Sequence, residues 1–206
     1  MAMGSWEINV ITGGMPEKIA TAIGKLGEMM VGAEYTPIAY LGAQVVNGTN
    51  HAVLAEQVLT TGRDTHNIVV LIFNEKPGAM EADLVSIERV IEGGAPMGGI
   101  QINVQTDIPE DAKAAWNEAF YNFVGSEVKT FALLGTQIVK GTNYIFAATV
   151  KPFAPGADTK AMVVTINTMT GLLSFADMLA NKQEAMLGYS FTWLKGGLGK
   201  PLGEWP

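Results

Sequence analysis

Leu41-Gly42-Ala43-Gln44-Val45-Val46-Asn47-Gly48-Thr49-Asn50 returns 93 residues later as Leu134-Gly135-Thr136-Gln137-Ile138-Val139-Lys140-Gly141-Thr142-Asn143. The same offset lays Met15–Asn74 over Ile108–Asn167 without a gap, and 17 of those 60 positions are identical. Pro16/Pro109, Gly32/Gly125, Gly42/Gly135, Gln44/Gln137, Val46/Val139 and Gly48/Gly141 are among them. A ten-residue match alone is weak, but inside a gapless register of that length it marks an internal duplication. Two domains are expected, residues 1–94 and 95–206, each of a size that supports its own core.

Working outward from the repeated word, Asn47-Gly48 reads as a two-residue hairpin turn of type I′, which asks for positive φ at both central positions. Lys140-Gly141 takes the same reading through the repeat. The word is preceded in each copy by a short strand and a helix. Glu7–Ile11 and Gln101–Gln105 share Ile-Asn-Val and alternate as half-exposed strands do. Ile19, Ile23, Leu26 and Met30 recur at helical spacing, as do Ala112, Ala115, Trp116, Ala119, Phe120 and Phe123. Pro16 and Pro109 stand where such helices begin, with Glu17, Glu110 and Asp111 placing negative charge at the positive end. Gly32 and Gly125 suggest left-handed C-caps.

Further strands are expected over Ile38–Val46, Ala52–Leu59, Asn67–Phe73 and Leu84–Ile91 in the first copy, with a turn at Lys76-Pro77-Gly78. The second copy offers Phe131–Val139, Tyr144–Val150 and Ala161–Ile166. Its turn at Met169-Thr170-Gly171 is followed by an insertion and a last strand at Gly188–Leu194. The fold class expected is α+β, each unit one helix packed on a curved antiparallel sheet of four to five strands. Gly93–Gly99 reads as a glycine-rich linker and Gly196–Pro206 as a tail punctuated by Gly and Pro.

Composition narrows the function. The chain is 48% hydrophobic and 16% charged, which suits a globular protein. A net charge of −7 opposes nucleic-acid binding, because no basic stripe is available to neutralise phosphates. Cysteine is absent, which removes disulfides, thiolate nucleophiles and thiolate metal sites and suits a reducing, cytoplasmic setting. The first ten residues lack a basic start and a long apolar core, so no signal peptide is expected. The run Ile68–Phe73 is too short to span a bilayer, so no membrane association is expected.

Strand, helix and four strands, with Gln-x-Val-x-Gly at the first hairpin, resembles the cystatin family, closest to its disulfide-free intracellular members. Gln44-Val45-Val46-Asn47-Gly48 and Gln137-Ile138-Val139-Lys140-Gly141 resemble that family's hairpin word, and Thr142-Asn143-Tyr144 extends the likeness. Gly98-Gly99, and Gly4 in the first copy, stand where the family has its N-terminal trunk; Pro77-Gly78 stands at its second hairpin. What the resemblance implies is two tandem cystatin-like units inhibiting papain-like cysteine proteases. In that family the trunk and the two turns form a wedge that enters the active-site cleft. The chain departs from the pattern in the charge of Lys140, in having no proline in the second turn of copy two, and in having no tryptophan at either second turn. The alternative is a non-inhibitory binding or assembly module on the same duplicated scaffold, since fold alone does not confer function. Exchange of hairpins between chains into a swapped homo-oligomer is a further expectation about assembly.

An enzyme is not expected. Without cysteine or an ordered Ser, His and Asp set, nucleophilic catalysis has no machinery. His51 and His66 are the only histidines, too few for a metal site, and both read as solvated loop residues. Gly196-Gly197-Leu198-Gly199-Lys200 lacks the spacing and the following Ser/Thr of a phosphate loop. No cofactor is expected. Glu28 and the Glu81/Asp83 pair read as solvated charge. A pocket at the open end of a helix-on-sheet cone would need a titratable pair inside it, and the strand interiors are almost wholly apolar.

Overall fold

A computed structural model describes residues 4–60, 65–94, 98–180 and the backbone of 189–192. Chain contacts divide it into two compact units, Met1–Gly94 and Ala95–Pro206. The first runs β1 (Trp6–Thr12), α1 (Glu17–Met29), β2 (Ala33–Val46), β3 (Gly48–Leu59), β4 (Thr65–Glu75) and β5 (Asp83–Glu92). The second runs β6 (Ile100–Gln105), α2 (Glu110–Phe120), β7 (Ser126–Val139), β8 (Gly141–Pro152), β9 (Lys160–Asn167), β10 (Leu172–Asp177) and β11 (Tyr189–Thr192). The tail from Gly196, with its Gly-Gly-Leu-Gly-Lys run, and linker residues 95–97 lie outside the described residues.

Each sheet is an antiparallel meander in which chain neighbours pair. The first is ordered β1-β2-β3-β4-β5 and the second β11-β10-β9-β8-β7-β6. The helix lies in sequence between the first two strands of its unit. Ile19, Ile23 and Leu26 of α1 pack with Tyr40, Val53, Val69, Leu71 and Phe73. In the second unit Ala112, Trp116 and Ala119 of α2 pack with Phe146, Val164, Leu173 and Phe175. Trp116 meets Phe146 edge-on at 5.0 Å between ring centroids, an arrangement aromatic quadrupoles favour.

The expected fold class is corrected by this architecture. More than half of the described residues are in strands and only 14% in helix, so the chain is mostly β rather than a balanced α+β protein. The first sheet has five strands, within the four to five expected, and the second has six. Two causes stand out. The hairpin β2–β3 pairs along twelve partners from Ala33↔Leu59 to Val46↔Gly48, and its counterpart β7–β8 is as long, so the strands begin well before the apolar runs that signal them. The sheets are also buried on both faces: Leu41, Leu54 and Val70 point away from the α1 cluster yet are fully buried, as is Leu134 in the second unit. A single helix resting on one face leaves that second face unexplained. Strands buried on both sides read as continuous apolar runs, as Ile68–Phe73 does.

The second copy holds another correction. The stretch after Met169-Thr170-Gly171 is not an insertion before the last strand but is β10 itself, paired to β9 from Leu173↔Ile166 to Asp177↔Met162. Leu173 and Phe175 alternate inward while their neighbours face out. Strand β11 then adds at its edge, over the residues 189–192 inside the expected span. Both helices start after proline, whose missing N–H would be unpaired there in any case. Gly125 does not cap α2, whose C-cap is Tyr121; it stands at the entry to β7 with φ 99°. Among the described residues no helix is long and apolar enough to cross a membrane.

Candidate functional site

The repeated word forms the same end of each unit. Both first turns depart from the expected type I′ geometry: Gly48 (φ 98°) and Gly141 (φ 86°) are left-handed, while no residue other than glycine has positive φ among those described. One left-handed position per turn explains why lysine at 140 replaces asparagine at 47 without strain. A Cβ on Gly48 would stand 2.5 Å from the Glu75 carbonyl oxygen, and one on Gly141 would stand 2.6 Å from Met169 Cβ. Each glycine therefore lets the first turn press directly against the second.

The glutamines, for which the sequence offers no core role, tie the edge together. Gln44 Nε2 donates to the Gly4 carbonyl at 2.8 Å, Asn50 Nδ2 donates to Gln44 Oε1 at 2.9 Å, and Asn74 Nδ2 donates to Asn50 Oδ1 at 2.8 Å. The second unit repeats the chain: Gln137 Nε2 to the Gly98 carbonyl at 2.7 Å, Asn143 to Gln137 at 2.8 Å, Asn167 to Asn143 at 2.7 Å. The amides sit opposite one another across three strands, Gln44↔Asn50↔Asn74 and Gln137↔Asn143↔Asn167. This relay brings Gly4 or Gly98, the first turn and the start of the second into one assembly. Gly4 also donates its N–H to the Val45 carbonyl at 3.1 Å, and Gly99 leads directly into β6. All four partners of the relay are in the sequence, but their alignment depends on register across strands far apart in the chain.

Asn167 goes further than Asn74. Its Oδ1 accepts from the Met169 N–H, the Thr170 N–H and the Thr170 hydroxyl, and its Nδ2 also reaches the Lys140 carbonyl at 3.2 Å. This side chain orders the second turn of copy two, which has no proline. Asn167→Ala is expected to cost about 1–2 kcal/mol, because the turn amides regain water while Asn143 and Lys140 lose a donor. A urea midpoint unchanged from the parent protein would refute this role.

Apolar side chains are presented beyond the relay. Ile138 is 70% exposed and Met169 62%, beside the half-exposed Val139. Val45 and Val46 form the matching, less exposed pair in the first unit, with Pro77 and Gly78 exposed beside them. Between these turns lies a shallow cleft of about 460 Å³ whose floor includes His51 and Glu75.

His51 is not a solvated loop residue. It lies on β3, 7% exposed, with Nδ1 2.9 Å from the Tyr40 hydroxyl and Nε2 3.6 Å from Glu75 Oε2. Burial lowers its pKa from the ordinary 6.5, with Glu75 pulling partly the other way. Glu75 is held below the usual carboxylate range, first by its hydrogen bond from Lys18, which also donates to the Ala79 carbonyl at 2.9 Å. At the matching position of the second unit Tyr144 donates to Asp111 at 2.8 Å, and that bond keeps the Asp111 carboxyl low. His66 is a surface residue of β4 paired with Glu56 at 2.7 Å. The acidic pair read as solvated is also engaged, Glu81 with Lys25 and Asp83 with Lys76. Among the described residues no group of three or more His, Asp or Glu is placed to hold a metal.

No family model, curated protein or solved structure matches this chain.

Proposed function

We propose that the chain is a binding protein in which the turn edge of either unit enters the active-site cleft of a papain-like cysteine protease and blocks it. The observation that supports this reading is the amide relay present in both units. It joins a trunk glycine, a glycine-tipped first turn and a second turn into one edge before any partner arrives. An edge already ordered loses little conformational entropy on binding, which leaves more of the contact energy as affinity. The exposed apolar residues Val45, Val46, Ile138 and Val139 sit at its rim, where a cleft would desolvate them. The likeness of the Gln44–Gly48 and Gln137–Gly141 words to the cystatin hairpin favours a protease of that class as the partner.

The test is titration of the intact protein into papain while peptide hydrolysis is followed. Inhibition is expected at or below micromolar concentration, that is about −8 kcal/mol or better. Gly48→Arg and Gly141→Arg, made separately, are each expected to weaken inhibition by at least about tenfold if that copy binds, since arginine fits neither the left-handed backbone nor the space beside the second turn. Full hydrolysis at tens of micromolar would rule out the protease as target. Unchanged potency in both variants would remove the turns from the contact.

A further inference from the structure

The two edges share their relay but not the residues beneath it. In the first unit His51 forms the floor of the cleft between the turns, with Nε2 sequestered from solvent and without a hydrogen-bond partner. An unsatisfied buried nitrogen is costly, and Glu75 Oε2 is too far at 3.6 Å for a hydrogen bond. Glu75 is itself engaged: Lys18 of α1 holds its other oxygen and reaches on to the Ala79 carbonyl, pinning the segment that carries the second turn. From β2 the Tyr40 hydroxyl occupies Nδ1, and Glu7 of β1 acts on Tyr40 in turn. Lys76, next to Glu75, is paired with Asp83. Among the described residues, Glu75 is the charged group that acts on the imidazole. In the second unit Tyr144 replaces His51, Leu133 replaces Tyr40 and Thr168 replaces Glu75, so none of these three positions holds a group that titrates near neutrality.

We propose that the turn edge of the first unit opens in acid through protonation of His51, while the edge of the second unit, with Tyr144 at the matching position, stays closed. A proton on His51 makes both ring nitrogens donors. Tyr40 must then accept at Nδ1, and Nε2 draws Glu75 away from Lys18, releasing the tether from Lys18 to Ala79. The sign follows from burial. The folded protein favours the neutral ring, so its contribution to stability is complete above the ordinary value of 6.5 and is lost as pH falls through the lower folded value. The first unit would therefore let go of a partner in acid and the second would hold it. Release of a partner rests on the function proposed above; the opening itself does not.

Hydrogen exchange on the full chain, near neutral pH and at about pH 5, with exchange times scaled for the intrinsic rate, tests this. Protection over residues 44–50 and 74–82 is expected to fall at least about tenfold more than over 137–143 and 167–172. His51→Tyr and His51→Gln are each expected to abolish the difference. Equal acid responses in the two units, or an acid response that survives both His51 variants, would overturn the proposal. No protease enters this measurement, so failure to inhibit papain leaves it standing and its own failure leaves inhibition open.

Discussion

Replacing Phe146 with alanine is expected to destabilise the second unit by about 3–5 kcal/mol, the usual loss for a buried aromatic cut back to a methyl. The ring is fully buried on β8, beneath Trp116 of α2 and beside Tyr144. Trp116 in turn leans on Phe120, and Phe120 on Phe123 and Phe175. Removing Phe146 thus takes away the surface on which α2 rests and leaves a cavity that a sheet held by strands on both sides of β8 cannot close. Its counterpart in the duplication is Val53, a smaller residue, so the first unit does not depend on an aromatic at this point. The expected result is a large fall in the urea midpoint of the second unit, with hydrogen exchange in the first unit unchanged. A loss below about 1 kcal/mol would mean that α2 is held by other contacts.

The second large effect is expected from a single methyl group. Gly42 lies where β1 and β2 each carry a bulge: pairing jumps from Ile8↔Gly42 to Ile11↔Tyr40, and on the other side from Tyr40↔Val53 to Gly42↔Ala52. Gly135 repeats both irregularities in the second unit. A Cβ at Gly42 would stand 2.1 Å from the Glu7 carbonyl oxygen, and at Gly135 2.3 Å from that of Gln101. The obstacle is backbone and cannot rotate away. Gly42→Ala is therefore expected to cost about 1–3 kcal/mol and to push β1 off the sheet edge. Because β1 follows Gly4, that residue should leave its bond with Gln44 and weaken any binding that uses it. Amide exchange over Trp6–Thr12 would rise sharply; unchanged exchange and stability would show that the close approach is not required.

These two residues mark the limits of sequence reading. Phe146 is legible in part: it lies in an apolar run, and its inward direction follows from the period-two pleat. Gly42 and Gly135 stand out only through the duplication, and nothing along the chain says that a neighbouring carbonyl occupies the place of the side chain. The start of β10 was hidden differently. Leu172–Asp177 is a short alternating stretch with polar neighbours, and its counterpart in the first copy, Asp83–Glu92, lies at a different spacing from the turn. A histidine beside a turn of Asn, Gly and Thr reads as exposed, whereas His51 is buried at the base of the cleft between two turns.

The sequence by itself determined the duplication, the order of strand, helix and long hairpin, the proline-started helices and the glycines at the first turns, because each follows from local backbone preference or from a pattern repeated along the chain. Tertiary structure decided what those parts amount to. The proportion of strand, the burial of both sheet faces, the amide relay from Gly4 to Asn74 and from Gly98 to Asn167, and the lone nitrogen of His51 all arise from register between segments far apart in sequence. Hydrogen-bond partners and neighbours across a sheet are set by which residue faces which, and a shift of one position would exchange every one of them.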